Sequence, residues 1–78
     1  MPKLFATLLG RNPNNQLFEE HRLVHVVAEN ETAAKTLAKE KWPVENVHVD
    51  SVQELTNVDD YQIRLEKSDS QYTTRSSH

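Results

Sequence analysis

The stretch His21–Pro43, HRLVHVVAENETAAKTLAKEKWP, changes its hydrophobic period once, at Glu29-Asn30, and the fold turns on that change. Before it, Leu23, Val24, Val26 and Val27 supply apolar side chains to both faces of an extended segment, and β-branching favours that form. A centrally placed strand over His21–Ala28 is expected. After the change, Asn30 can accept a hydrogen bond from an orphan amide of a first helical turn, and Glu31 stands where the positive end of a helix dipole favours it. A helix from about Glu31 to Lys41 follows, with Ala34, Leu37, Ala38 and Lys41 recurring at helical spacing beside Ala33. Its apolar stripe is narrow and mostly Ala, which suits close, flat packing on a sheet with Trp42 covering the exit. Pro43 disfavours helical geometry at Trp42 and ends the element.

Working outward, Lys3–Leu9 is a short run that is apolar on both faces and reads as an interior strand. Gly10–Asn15, Gly-Arg-Asn-Pro-Asn-Asn, reads as a loop. Val47, Val49 and Ser51 alternate with His48, Asp50 and Val52, the period of a third strand with one wetter face. Gln53–Asp60 is a polar connection with room for a helical turn around Glu54 and Leu55. Tyr61, Ile63 and Leu65 then alternate as a half-buried final strand. In Ser68–His78 only Tyr72 is large and apolar, too little to offset about 1–2 kcal/mol of backbone entropy per residue, so a disordered tail is expected.

These elements make one α+β domain over residues 1–67 with a polar tail over 68–78. The expected architecture is a four-stranded mixed sheet with one helix packed on one face, in the order β-β-α-β-β. With the second and third strands as parallel neighbours, the helix is a right-handed crossover and the outer strands pair antiparallel around them. A chain of 78 residues without Cys has neither a disulfide nor a thiolate metal site to supplement its core. One helix shelters only one face, and the first two strands look apolar on both, which points to a homodimer. Nine Lys and Arg against twelve Asp and Glu, net −3, argue against nucleic acid as a partner. No apolar run is long enough to span a bilayer and no signal peptide is visible, so neither a membrane nor export is expected and the cytoplasm is the default compartment.

Candidate chemistry comes down to a few polar residues. His21 and His25 are four apart, about 13 Å in a strand, too far for that pair to share one metal. His48 and Asp50 fall on one face about 7 Å apart, close enough for a carboxylate to orient an imidazole or for both to reach one ligand. The plainer reading is a solvated strand face. Arg11, in its Asn-rich loop, suits an anion, although no glycine-rich phosphate cradle accompanies it. Trp42 reads as core rather than as a stacking platform. No nucleophile elbow, HExxH helix or Walker loop occurs, so no catalytic residue, cofactor or metal site is assigned.

Gly10-Arg11 after a strand, His21 opening the next, Glu29 at the helix entrance, Lys41-Trp42 at its exit, His48-Val49-Asp50-Ser51, Glu54-Leu55 and Val58-Asp59-Asp60-Tyr61 together resemble the small bacterial family known as domain of unknown function 1543. The resemblance runs from Lys3 to about Leu65. Members of that family carry one or two copies of the domain and have no assigned activity, which implies that a single-copy chain pairs with itself. His21, His48, Asp50 and Tyr61 match the family's polar pattern and are taken as one candidate ligand-binding cluster, with Arg11 beside it. The family's loop after the first strand is richer in glycine, Arg22 replaces an acidic residue, and His25 replaces an aromatic one. Ala28 and Asp60 stand where Gly is common, so those turns are expected to need no positive φ. The reading from sequence is a non-catalytic homodimeric binding or interaction module, with small-molecule or metal binding through a His/Asp cluster, or weak catalysis there, as the alternative.

Overall fold

Lys3–Arg11 forms β1, and its two faces are distinct: Phe5, Thr7 and Leu9 are fully buried, whereas Leu4, Ala6 and Leu8 between them are half-buried. The computed structural model of the protein describes residues 1–12 and 18–68. Strand β1 pairs antiparallel with β2, Glu20–Ala28, on one side and with β3, Val47–Glu54, on the other, giving a sheet of order β2-β1-β3. The helix α1, Glu31–Glu40, lies on the face that carries Phe5, Thr7 and Leu9.

The α+β class expected from the sequence holds, but the single four-stranded mixed sheet does not form. β2 and β3 run parallel to each other without pairing, because β1 stands between them, and every ladder in the sheet is antiparallel. The reason lies in the side chains. β1 is apolar at every position from Leu4 to Leu9 except Thr7, so it gains most from neighbours on both sides. β2 puts Val24, Val26 and Ala28 against the helix but presents His21 and His25 beside Leu23 and Val27 on its other face, which suits an edge.

The helix forms where expected. Asn30 caps it, its side chain accepting a hydrogen bond from the Ala33 amide at 2.9 Å, and Lys41 is the C-cap rather than the last helical residue. Ala34 and Ala38 are fully buried, so the helix backbone lies close to the sheet, while Leu37 falls at the exposed margin of the stripe. Trp42 closes the core at 8% exposure, and the Arg22 guanidinium stacks over its ring, 4.7 Å from the centroid. The Lys41 ammonium donates to the His25 carbonyl at 2.6 Å, occupying one outward-facing acceptor of the edge strand β2.

Past β3 the chain differs from expectation. Glu54 is still strand, so no helical turn forms there, and the Leu55 amide bonds to the Leu4 carbonyl at 2.8 Å. Residues Asn57–Val58, β4, and Tyr61–Gln62, β5, make a separate two-residue ribbon instead of a fourth strand of the sheet. Its turn is Asp59-Asp60, with φ of 50° and 70°, the double positive φ of a type I′ hairpin. Asp60 thus does adopt the left-handed conformation, contrary to expectation, whereas Ala28 simply ends β2. The expected tail lies outside the described residues apart from Ser68, as does most of the loop expected after Gly10. Among the described residues no helix is long and apolar enough to cross a membrane.

Two stability predictions follow from these positions. The Thr7 hydroxyl is fully buried in the core without a hydrogen-bond partner among the described residues. Thr7→Val keeps the shape and removes that unpaired group, so it should stabilise by about 1 kcal/mol, seen as a Tm rise of roughly 4–8 °C for a domain of this size. Asp60→Gly removes the cost of positive φ for a residue with a Cβ and should raise the denaturation midpoint by an amount corresponding to about 0.5–1 kcal/mol.

Candidate functional site

Gly10 is the only glycine in the chain, and it sits on the central strand. Its register partners are His21 on β2 and His48 on β3, so one cross-strand row on the helix-free face reads His21-Gly10-His48. Gly10 is nonetheless buried. A Cβ placed on it would lie 2.8 Å from Asp50 Oδ2, 2.9 Å from His48 Nε2 and 3.3 Å from His21 Cδ2. The missing side chain is what lets two imidazoles and a carboxylate lean in over the backbone.

Asp50 reaches this row through an irregularity in β3. Leu8 pairs with Ser51 and Leu9 with Val49, so Asp50 is the extra residue of a β-bulge. The bulge also resets the alternation. Val47 and Val49 pack on the core before it and Val52 after it, where an unbroken period of two would have buried Ser51 and exposed Val52.

Four groups converge. Asp50 Oδ1 is 2.9 Å from His48 Nε2 and Asp50 Oδ2 is 3.2 Å from His21 Nε2, so the carboxylate spans both rings. Glu19 Oε1, just before β2, is 3.3 Å from His21 Nε2 and 3.9 Å from His48 Nε2. Ligand atoms of Glu19, His21 and Asp50 all lie within 4.8 Å of one another, with His48 beside them. The side chains are 32–48% exposed, and as ion pairs such groups contribute at most about 1 kcal/mol each. Ordinary stabilisation is therefore a poor account of why the sheet gives up a side chain at Gly10 to seat them.

The separations suit a cation. In a tetrahedral site with metal–N and metal–O bonds of about 2.0–2.2 Å, ligand atoms stand about 3.3–3.5 Å apart. The contacts of 2.9–3.9 Å bracket that spacing. Two imidazoles and two carboxylates form a donor set for zinc-class divalent ions, in which imidazole disfavours magnesium and calcium.

Of the residues singled out from the sequence, His21, His48 and Asp50 are brought together. Tyr61 and Arg11 are not. Tyr61 lies on the β4-β5 ribbon, reached from the far end of β3, and is 76% exposed. Arg11 is in strand rather than loop, one position past Gly10 and so on the opposite face, where its Nη1 donates to its register partner Glu20 at 3.2 Å. The sequence reading missed Glu19 and the role of Gly10. Glu19-Glu-His21 has a same-face spacing like that of His48-Val-Asp50, a signal overlooked because Glu19 precedes the strand proper.

The family model described as Domain of Unknown Function (DUF1543) matches residues 16–65, a span that includes Glu19, His21, His48 and Asp50 but not Gly10. No curated protein and no solved structure matches the chain.

Gly10→Ala tests the seat of the cluster. The added methyl should push the imidazoles and Asp50 apart, moving the ring-proton NMR resonances of His21 and His48 while leaving those of His25 in place. An unchanged spectrum would show that the groups do not rest on the glycine.

Proposed function

The chain belongs to the family described as Domain of Unknown Function (DUF1543), and from the geometry of its four-group cluster we propose that it binds a divalent transition-metal ion of the zinc class. The observation that carries this reading is the convergence of Glu19, His21 and Asp50 at ligand-to-ligand spacing over the one glycine of the chain, with His48 against Asp50. Each element contributes. β2 and β3 set the two imidazoles on either side of Gly10, the bulge turns Asp50 between them, and Glu19 closes the set from the entrance of β2.

The protein's part in the chemistry is to hold and orient. Each imidazole presents Nε2, and Asp50 supplies an oxygen toward either ring. The two carboxylates together neutralise a divalent charge, so binding costs no net buried charge. Partial exposure leaves the outer side of the site open to a water or a small anionic ligand, the arrangement that separates accessible metal sites from closed structural ones.

The test is thermal unfolding of tag-free protein with Zn²⁺, Co²⁺ or Ni²⁺, against Mg²⁺ and Ca²⁺ as controls. An ion at a hundredfold excess over its Kd stabilises the folded state by about 2.7 kcal/mol, which at roughly 4–8 °C per kcal/mol is a Tm rise of about 10–20 °C. His48→Ala and Asp50→Ala should each remove most of that rise, and His25→Ala should leave it intact. A wild-type protein indifferent to all three transition metals would sink the proposal, as would a rise that survives in the His48→Ala, Asp50→Ala double variant.

A further inference from the structure

We infer that the helix-free face of the sheet is covered by a second copy of this chain, packed face to face about a two-fold axis level with the midpoint of Ala6 and Leu8 of β1. Apart from Gly10, the residues of this surface are not those of the cation cluster.

The face is apolar along its middle. Leu4, Ala6 and Leu8 of β1 are half-buried there, flanked on β2 by Leu23 at 57% and Val27 at 48% exposure. Register sets Leu23 beside Leu8 and Val27 beside Leu4 in the same cross-strand rows, so the exposed side chains form one continuous strip. The rim is polar, with His25 and Gln53 on either side of Ala6 and Ser51 beside Leu8. An apolar centre with a polar rim is the anatomy of a protein interface.

The pattern along β1 identifies the occupant. On this face the central strand reads Leu4, Ala6, Leu8, Gly10, which is large, small, large, small. Reversing that order sets each leucine against an alanine or the glycine. A two-fold axis lying in the plane between the two sheets, perpendicular to β1 and level with the midpoint of Ala6 and Leu8, performs that reversal, so a second copy seats Leu8 against Ala6 and Ala6 against Leu8. Alternating large and small residues across facing layers is how packed sheets interdigitate. A different protein would have to carry the complementary alternation, whereas this chain already carries it.

The edges are less suited to pairing. On β2 the Lys41 ammonium occupies the His25 carbonyl, and on β3 the bulge at Asp50 interrupts the ladder. With strands of 8 or 9 residues, three abreast, at about 3.3 Å per residue and 4.8 Å per strand, two faces remove roughly 850 Å² of surface, the size of a weak, reversible interface. The same axis brings the Leu4 end of one sheet over the His21-Gly10-His48 row of the other, so pairing would also roof the cluster.

Sedimentation velocity of the full chain in the presence of a chelator tests this. Runs over about 1–100 μM protomer cover the range in which an interface of this size dissociates. The wild type is expected to be dimeric at the upper end. Ala6→Leu sets large against large at the axis and should raise the dissociation constant tenfold or more, although it adds apolar surface that would strengthen a nonspecific association. Leu23→Glu, at a side chain too exposed to matter for folding, should give a monomer with an unchanged circular dichroism spectrum. A wild-type monomer throughout the range overturns the inference, and so does an Ala6→Leu protein that associates as well as or better than the wild type. The chelator keeps the result separate from metal binding, which the thermal measurements decide independently.

Discussion

The structure depends on the double pairing of β1. A strand hydrogen-bonded along both edges satisfies its backbone groups within the sheet, and its two rows of side chains then define the two faces of the molecule. Phe5, Thr7 and Leu9 face a helix whose contact surface is largely alanine, so helix and sheet approach closely and a small core is filled without long side chains. Leu4, Ala6, Leu8 and Gly10 face the other way and set what that surface can do. Helix capping, the Trp42 plug and the edge position of β2 are arranged around this strand.

The bulge in β3 is the second organising feature. Val-His-Val-Asp-Ser-Val contains three valines that no regular strand can bury together, because the third is out of phase with the first two. One extra residue in the ladder corrects the phase, so all three reach the core. The residue left over is Asp50. The device that completes the hydrophobic face also turns a carboxylate between two imidazoles, so packing and the candidate site have a common origin in the same irregularity.

Much of this was legible in the chain itself. The period change at Glu29-Asn30, the Ala stripe, the Asn30 cap and the stop at Pro43 located the helix, and the same-face spacing of His48 and Asp50 pointed to the cluster. Strand order was not legible, because the first two strands both looked apolar on both faces and local pattern does not say which pairs twice. His21 joins His48 only through their shared partner Gly10, a long-range register that no local spacing encodes. Tyr61, Ile63 and Leu65 alternate like a strand yet have no place in the sheet, since the chain leaves β3 into a tight Asp59-Asp60 turn and pairs locally instead. Out-of-phase valines and an isolated mid-strand glycine were the available clues, and each marks a departure from regular structure.

The lone tryptophan of the chain lies at the helix exit, almost sealed and overlain by a guanidinium, with the sheet between it and the imidazole row. Its emission therefore reports on whether the hydrophobic interior is intact and is shielded from whatever docks on the far surface. Nature has in effect installed an optical gauge of folding that can be read while ligands or other molecules are titrated, without a label and with little crosstalk between the two signals.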